Sequence, residues 1–382
     1  DGGGTVFGPL REAVGPEVRI GAVDDPDYAF GTVAALAVAP GAERVYSLHR
    51  NDAFVRIWTS DGLPAGTVGG PGEGPGEFTR PGLLGFFGDS LWVMDTYAYR
   101  VSYFGLDDAF LGSTIPRVEI GGGDEEWSPP RPERPLRDGS FIGRSPGWSE
   151  DIARGTLTRA PFVRMTGDGE PGHLLWMQSF LPRDVLALLD EDDGGGTFFP
   201  QPFADDPLVQ SSEHGLTVVH RRAWEGEGEP SIEVLRIGLD GDTVWSTPIA
   251  YEPARLARER VDSAVTQLAD RSFDFFSRFR PGISRGAHEE SLAEQTYAPE
   301  WTPAVRSMLV LPDGSVWLER FDAVEAEDGT VRKEWWILDP DGAAAGSART
   351  PDQIRILSVA DDAVWGVEQD ELEVSYIVRY TL

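Results

Sequence analysis

One run of clustered carboxylates in this chain suggests metal chemistry. Asp190, Asp192 and Asp193 belong to an acidic run that ends at Gly194. Hard cations such as Ca²⁺ bind through several carboxylate oxygens, so these three aspartates are candidate calcium ligands. The run lacks the alternating spacing and the distant bidentate Glu of a calcium loop, and a solvated acidic loop is the alternative. We therefore expect no obligatory cofactor, and calcium is the metal to test.

The histidines offer a second kind of metal site. His49, His173, His214, His220 and His288 show neither HxxxH nor HExxH spacing. A zinc site would need several of them to converge from distant parts of the chain. No nucleophile elbow, Walker loop or dinucleotide fingerprint stands in a matching context. The sequence therefore predicts no catalytic residue.

Tryptophans in long, turn-rich connections are candidate ligand-binding residues. Four of them are singled out: Trp127, Trp148, Trp224 and Trp301. Aromatic rings stack on sugars and hold peptides, and the same rings also pack inside β-sheet proteins. The sequence is compatible with both roles, ligand binding and packing.

A strand followed by a short acidic turn recurs along the chain. Five such turns stand in the same register, at Asp61-Gly62, Asp107-Asp108, Asp168-Gly169, Asp240-Gly241 and Asp341-Gly342. Asp-Gly pairs favour hairpin turns. A strand-based repeat of about 40–50 residues is typical of a β-propeller. With six strands in a second, upstream series, the sequence predicts an all-β, six-bladed β-propeller of four-stranded antiparallel blades.

The two ends of the chain are predicted to close this ring. Three strands precede Leu382 in the last blade, and the short strand Glu17–Gly21 supplies the fourth. Closure removes an exposed sheet edge, which is otherwise prone to aggregation. We expect one domain over 17–382, preceded by a flexible segment at 1–16.

The longest connections should emerge on one face of the propeller, because they join strands two to three or one blade to the next. The largest is an insertion at 250–301 with a helix at about 253–280, predicted from apolar residues at helical spacing. Loops on one face of a rigid scaffold usually carry function. We expect a binding site on that face.

The segment Gly69–Phe104 resembles one repeat of the NHL type. It has a Gly/Pro-rich loop, a Glu-Phe-x-x-Pro motif, two apolar strands, and then Asp95 and Arg100 before a third strand. The resemblance implies that Asp95 and Arg100 are scaffold residues that define the repeat. Residues 17–382 as a whole are similar to bacterial extracytoplasmic proteins described as six-bladed β-propellers. That similarity implies a periplasmic, secreted or cell-surface protein with a binding role.

Charge narrows the possible partners. The formal net charge is −31, which argues against nucleic acid and against anionic membrane surfaces. The chain has no Cys, so disulfides and thiolate metal sites are excluded. No apolar run approaches the ~20 residues of a transmembrane segment.

Three functions remain under consideration. The first is a non-enzymatic extracytoplasmic binding or assembly module that holds a protein, peptide or glycan. The second is a metal-dependent propeller hydrolase or lyase, such as a lactonase-like enzyme using calcium or zinc. The third is a self-associating structural subunit of a surface layer or filament. The absence of a catalytic motif favours the first.

Overall fold

Among the described residues, most of the regular secondary structure is β-sheet. The structure is a computed structural model, which describes residues 7–382 except 23, 26, 51, 119–127, 147–148, 190–195, 280–281, 327–328, 361 and 373. No helix in these described ranges is both long and apolar enough to cross a membrane.

Within the described residues, six antiparallel sheets follow one another and form the blades of a β-propeller. Two strands precede them, β1 (Leu10–Glu12) and β2 (Val14–Ile20). Blades 1 to 3 comprise β3 (Val33–Val38), β4 (Arg44–His49), β5 (Val55–Thr59), β6 (Pro64–Val68); β7 (Pro81–Phe87), β8 (Ser90–Asp95), β9 (Arg100–Phe104), β10 (Phe110–Thr114); and β11 (Arg131–Pro135), β12 (Phe141–Arg144), β13 (Arg159–Met165), β14 (Pro171–Ser179).

A separate hairpin then intervenes before the remaining blades. It consists of β15 (Val185–Leu189) and β16 (Gly196–Pro200). Blades 4 to 6 comprise β17 (Leu208–Ser212), β18 (Gly215–His220), β19 (Ser231–Ile237), β20 (Thr243–Ala250); β21 (Val305–Val310), β22 (Val316–Arg320), β24 (Val331–Leu338), β25 (Ala344–Pro351); and β26 (Arg355–Ala360), β27 (Ala363–Gln369), β28 (Ser375–Thr381) with β2. The short strand β23 (Val324–Glu325) pairs with β24. The predicted six-bladed propeller is confirmed.

The acidic turns are set by backbone conformation. Gly62, Gly169, Gly241 and Gly342 have φ values of 87°, 91°, 84° and 85°, in the left-handed region where a Cβ is disfavoured. Asp108 takes the equivalent place in blade 2 with φ 64°, and Asp tolerates this region better than most residues. The recurring turn therefore reflects a backbone requirement at the same point of blades 1 to 5.

Neighbouring blades pack through layers of buried apolar side chains. Trp58 and Trp365 lie between blades 1 and 6, and Trp92 and Phe141 lie between blades 2 and 3. Each large apolar side chain buried in this way contributes roughly 1.5–3 kcal/mol. Because one such layer joins every neighbouring pair, the blades form a rigid ring.

The N-terminal strand closes the ring as predicted, but more of the N-terminus is ordered than expected. Strand β2 pairs antiparallel with β28, and it begins at Val14 instead of 17. Strand β1 adds to the outer edge of blade 5, parallel to β25. The ring of Phe7 stacks on Trp336 at 5.3 Å. Residues 7–16 of the segment 1–16 thus differ from the expected flexible tether, because β1 pairs with the outer strand β25 and Phe7 packs on Trp336 of the core between blades 4 and 5.

The insertion between blades 4 and 5 contains two helices instead of one. Helix α2 spans Arg258–Phe279 and helix α3 spans Arg285–Gln295. The predicted start near 253 is too early, because Arg255 forms a β-bridge with Trp301 and the Leu256 N–H donates to the carbonyl of Glu300. A shorter helix, α1 (Ser149–Ala153), lies in the β12–β13 connection.

Candidate functional site

The two faces of the propeller carry very different connections. One face has the turns between strands one and two and between strands three and four of each blade, such as Asp240-Gly241 between β19 and β20. The other face, called the loop-rich face below, carries every other connection. Its long segments fall at 69–80, 115–130, 145–158, 180–207, 221–230, 251–304 and 321–330. The strand order therefore places the elaborated segments together, as the sequence predicted.

Three of these long segments join into one additional structure on the loop-rich face. Helices α1, α2 and α3 and the β15–β16 hairpin come from three different connections, and we call them the cap. Buried apolar side chains give the cap its own small core, formed by Leu186, Leu188, Val265, Ala269, Phe276 and Leu292. The apolar stripe of the predicted helix is therefore covered by the hairpin and by α3.

Polar contacts tie the cap to blade 5. Arg260 of α2 donates to the carboxylate of Asp322, which also accepts from the hydroxyl of Thr302 at 3.0 Å. The guanidinium groups of Arg260 and Arg306 lie 5.0 Å and 4.6 Å from the ring centre of Phe321. These contacts fix the position of α2 over the blade.

A second set of contacts ties the end of α3 to the segment before blade 4. The amide of Gln201 donates to the carbonyl of Gln295 and accepts from the Tyr297 N–H, at 3.1 Å and 2.9 Å. The hydroxyl of Tyr297 donates to Asp205 at 3.1 Å. Burial and the Asp205 carboxylate raise the pKa of Tyr297 to about 12. This hydroxyl therefore stays protonated and remains a donor at ordinary pH.

A pocket of about 240 Å³ opens between blades 3 and 4, beside these contacts, and we call it the interblade pocket. Its walls come from the end of β14, from the segments on either side of the β15–β16 hairpin, and from the end of β18. They include Leu181, Arg183, Asp184, Asp205, Asp206, Pro207, His220, Arg221 and Arg222. No sequence motif marks these residues, since they lie far apart along the chain.

Most of the charges around the interblade pocket are already paired. Arg221 donates to the carboxylate and the carbonyl of Asp206, both at 2.8 Å, and Arg183 lies 3.6 Å from the carboxylate of Asp205. Among the described ion pairs, none includes Asp184, whose carboxylate accepts the N–H of Leu181 at 2.6 Å. Burial, with Asp206 and Asp205 nearby, raises the pKa of Asp184. The pocket thus contains one carboxylate that a cationic group would stabilise.

Two of the predicted tryptophans lie side by side on the loop-rich face. The ring centres of Trp224 and Trp301 are 5.1 Å apart, and the guanidinium of Arg255 lies 4.7 Å from Trp301. Both rings are partly exposed. The indole N–H of Trp224 donates to the carbonyl of Glu227 at 3.0 Å, which fixes its loop. Trp224 belongs to the same connection as Arg222 of the interblade pocket, two residues away.

A second pocket, of about 250 Å³, lies between blades 2 and 3 on the same face. Arg144 pairs there with Glu133 at 3.0 Å, and Glu133 also accepts from the hydroxyl of Ser211 in blade 4 at 3.0 Å. Arg131 donates to the hydroxyl of Tyr99 at 3.4 Å. These polar contacts run between blades, and they therefore link three neighbouring blades.

Asp95 and Arg100, the residues of the NHL-like motif, bind backbone groups. Asp95 is fully buried and accepts the N–H groups of residues 79, 80, 97 and 98 at 2.6–3.0 Å. Burial by itself raises the pKa of Asp95, but these four donors outweigh it and lower the pKa below its ordinary value. Arg100 donates to the carbonyls of Glu73 and Glu77. Both side chains are thereby occupied in holding the loop at 69–80.

The remaining predicted site residues lie outside the described residues. They are Trp127, Trp148, Asp190, Asp192 and Asp193, so the calcium prediction for the acidic run stays a prediction. In the described part of the chain, no group of three or more His, Asp or Glu side chains is arranged to hold a metal ion.

The histidines of the described chain occupy separate environments. His49 and His288 are fully buried, in blade 1 and in the cap. His220 lines the interblade pocket, and His214 contacts the carbonyl of Pro312 at 3.0 Å.

Comparison with known proteins gives distant structural likeness only. No protein-family model matches the chain, and no curated protein does. A protein of Bacteroides fragilis shares 11% identity over 98% of both chains, with a TM-score of 0.44. A DUF4221 family member from Bacteroides vulgatus shares 10% sequence identity over 95% of both chains, with a TM-score of 0.39. The calcium-binding protein regucalcin from Agrobacterium tumefaciens shares 7% sequence identity, over 98% of this chain and 97% of the regucalcin chain, with a TM-score of 0.36. Likeness at this level carries no argument about function.

Proposed function

We propose that this protein is a non-enzymatic binding module that holds a polypeptide partner on its loop-rich face. The observation that carries the proposal is the interblade pocket and the Trp224–Trp301 pair, both built by the elaborated connections of one face. Trp and Arg are the residues that most often dominate binding energy at protein interfaces.

The size of the interblade pocket favours a side chain over a free small molecule. Pockets that bury a drug-sized ligand usually measure about 300–1,000 Å³. The interblade pocket, at about 240 Å³, is smaller than that range. A single long side chain of a bound polypeptide fits such a volume, while the rest of the partner lies across the surrounding surface.

The charge of the protein favours a basic partner. The net charge is −31, and Asp184, which lines the pocket, has no partner among the described ion pairs. A Lys or Arg side chain from the partner would complement that carboxylate, and long-range attraction would speed the encounter. We therefore propose a partner that presents a basic side chain next to an aromatic or apolar one.

Selection from a random displayed-peptide library tests this proposal. We expect enriched peptides to carry basic and aromatic residues and to bind the purified protein. Trp301→Ala and Asp184→Asn should each weaken the affinity of the enriched peptides about tenfold or more. Leu63→Ala is the matched control, because Leu63 is 59% exposed in a turn of the opposite face. Enriched peptides that bind all three variants equally would contradict the proposal, and enrichment of glycans on an array would favour the glycan partner instead.

The proposed module works without a resident metal, whereas a lactonase-like enzyme would need one. A thermal melt after chelation, repeated with calcium and with zinc, separates the two. We expect an unchanged melting temperature. A rise of several degrees with one ion would indicate a specific site in the native state, and turnover of lactones would then support the hydrolase.

We also propose that the module acts outside the cytoplasm, as its similarity to extracytoplasmic propellers implies. Fractionation of bacterial cells that express the full-length gene tests this, and recovery in the cytoplasmic fraction would contradict it. Light scattering over a range of protein concentrations tests the third function. A monomer at all concentrations would exclude a self-assembling surface-layer subunit.

A further inference from the structure

His288 lies at the centre of the cap and joins its two long helices. The side chain is fully buried on α3, and its Nε2 is 2.8 Å from the hydroxyl of Ser272 on α2. The ring of Phe276, also on α2, stacks on the imidazole with ring centres 4.5 Å apart. The imidazole is therefore held between α2 and α3 by one hydrogen bond and by aromatic packing.

The hydrogen bonds of Ser272 decide which nitrogen of His288 carries the proton. The Ser272 hydroxyl donates to the carbonyl of Leu268 at 2.6 Å, so it accepts from Nε2–H of His288. The other nitrogen, Nδ1, is then a bare acceptor, and it is buried without a hydrogen-bond partner in the described part of the chain. A proton added at Nδ1 would place an unpaired positive charge in an apolar core, which is costly.

We propose that the cap is an acid-sensitive element, in which protonation of His288 loosens α2, α3 and the β15–β16 hairpin while the six blades stay folded. The loosening reaches the interblade pocket, because Gln201 and Asp205 bind Gln295 and Tyr297 at the end of α3. Acid would thereby release one wall of the pocket. This inference concerns cap stability, and it holds or fails independently of the proposed partner.

The charged groups around His288 favour its neutral form in the folded cap. Arg285 on α3 pairs with Asp270 of α2 and with Glu289 of α3. Arg271 and Asp274 of α2 are exposed. The strands of the hairpin, 185–189 and 196–200, contain no titratable residue. Burial first, and then the positive charge of Arg285, lower the pKa of His288 below its ordinary value.

The direction of the pH effect follows from this shift. In the open cap, His288 titrates near its ordinary pKa of 6.5. The open form therefore takes up a proton more readily than the closed form, and the closed form loses stability as the pH falls below 6.5. At about pH 5 the opening equilibrium rises by at most about 30-fold, the limit for a group that stays neutral when closed. Carboxylates with ordinary pKa values remain mostly ionised there.

Asp184, which directly precedes the hairpin, acts in the opposite direction. Its pKa is raised in the folded protein, so its protonation stabilises the native state as the pH falls. A loosening of the cap in acid therefore has to come from another group, and a His288 variant identifies that group.

Hydrogen exchange of the full chain at about pH 7.5 and about pH 5, corrected for the intrinsic rates, tests the proposal. We expect cap peptides in 185–189, 196–200 and 258–295 to lose protection in acid relative to blade peptides. His288→Gln keeps a donor for Ser272 but cannot take up a proton, so it should lose this response. The matched control is His49→Gln in blade 1. His49 is also buried, 2.8 Å from a Ser hydroxyl, and burial, with Arg56 nearby, lowers its pKa to about 4.

The control variant should keep the cap response of the wild type, because His49 lies in blade 1 and opening of the cap leaves its surroundings unchanged. Equal changes of cap and blade peptides in the wild type would overturn the proposal. An unchanged acid response in His288→Gln would also overturn it. If that variant does not fold, the wild-type comparison of cap and blades still decides.

Discussion

The two faces of this propeller are built from the same six sheets but hold different amounts of chain. On the face with the Asp-Gly turns, each connection between strands is only a few residues long, as between β19 and β20. The loop-rich face carries insertions as long as residues 251–304, together with the cap and both described pockets. The ring of blades fixes the geometry, and the connections of one face are free to vary. We therefore expect function on the loop-rich face, where long connections interrupt the repeat of short strands and turns.

The largest difference expected between the faces concerns two aspartates that accept backbone N–H groups. Asp95, on the loop-rich side of blade 2, is buried and accepts four backbone N–H groups. Asp240, which is exposed in a turn of the opposite face, accepts only the N–H of Asp242 in the described part of the chain. We expect Asp95→Ala to lower the free energy of unfolding by about 4 kcal/mol, because it removes four hydrogen bonds to one buried carboxylate. Asp240→Ala should lower it by about 0.5 kcal/mol. Urea unfolding measures both, and equal losses would contradict this account of the motif.

Asp95 should also make the free energy of unfolding depend on pH. The pKa of Asp95 is lower in the folded protein than the ordinary value of 3.8. Its contribution to stability is therefore complete above about pH 5 and falls as the pH drops below 3.8 toward the native pKa. In Asp95→Ala this part of the acid destabilisation should be missing.

The second prediction separates the cap from the ring. Leu292→Ala removes a fully buried side chain from the cap core, and we expect a loss of about 3 kcal/mol in cap stability. Leu48→Ala is the matched change between blades 1 and 2. Hydrogen exchange should show faster exchange in cap peptides alone for the first variant, and in blade peptides for the second. If Leu292→Ala speeds exchange throughout the blades, the cap and the ring unfold as one unit.

The third prediction concerns the contact between the cap and the interblade pocket. Tyr297→Phe removes the hydrogen bond to Asp205 but keeps the aromatic ring. We expect a loss of about 1 kcal/mol in cap stability, measured by exchange of the residues at the end of α3. A spectrophotometric titration should also lose one tyrosine with a pKa of about 12. A variant as stable as the wild type would show that this hydrogen bond does not hold the cap.

The smallest expected effect on stability belongs to the surface of the proposed binding site. Arg255→Ala removes the cation from the face of Trp301, which is worth about 0.5 kcal/mol at an exposed position. Urea unfolding should barely change, while the affinity for selected peptides falls severalfold, because the Trp301 ring loses the contact that orients it. A large loss of stability without a change of affinity would make Arg255 a structural residue instead.

The sequence predicts the ring of blades well because blades 1 to 5 repeat the same backbone requirement. The turns at Gly62, Gly169, Gly241 and Gly342 share one left-handed conformation, and their spacing marks the third and fourth strands of four blades. The closure by β2 also follows, since the last blade contains three strands and the alternating segment near the N-terminus supplies the fourth.

The cap is less predictable because its stability comes from contacts between three separate insertions. Helix α3 buries only His288 and Leu292 among its described residues, so its sequence shows no clear apolar stripe. Strand β15 has a continuous apolar run whose partner, β16, lies beyond an acidic segment. The interblade pocket depends in turn on the cap and on blades 3 and 4. Trp224 and Trp301 were identifiable as aromatics in long loops, but their contact was not.

A hydrogen-exchange footprint of the tightest selected peptide on the intact protein tests the central claim most directly. We expect protection of residues 181–184, 205–207, 220–224 and 301, all on the loop-rich face. Turns of the opposite face, such as 60–63 and 239–242, should exchange as in the free protein. Protection confined to those opposite-face turns would contradict the claim that this propeller binds through its loop-rich face.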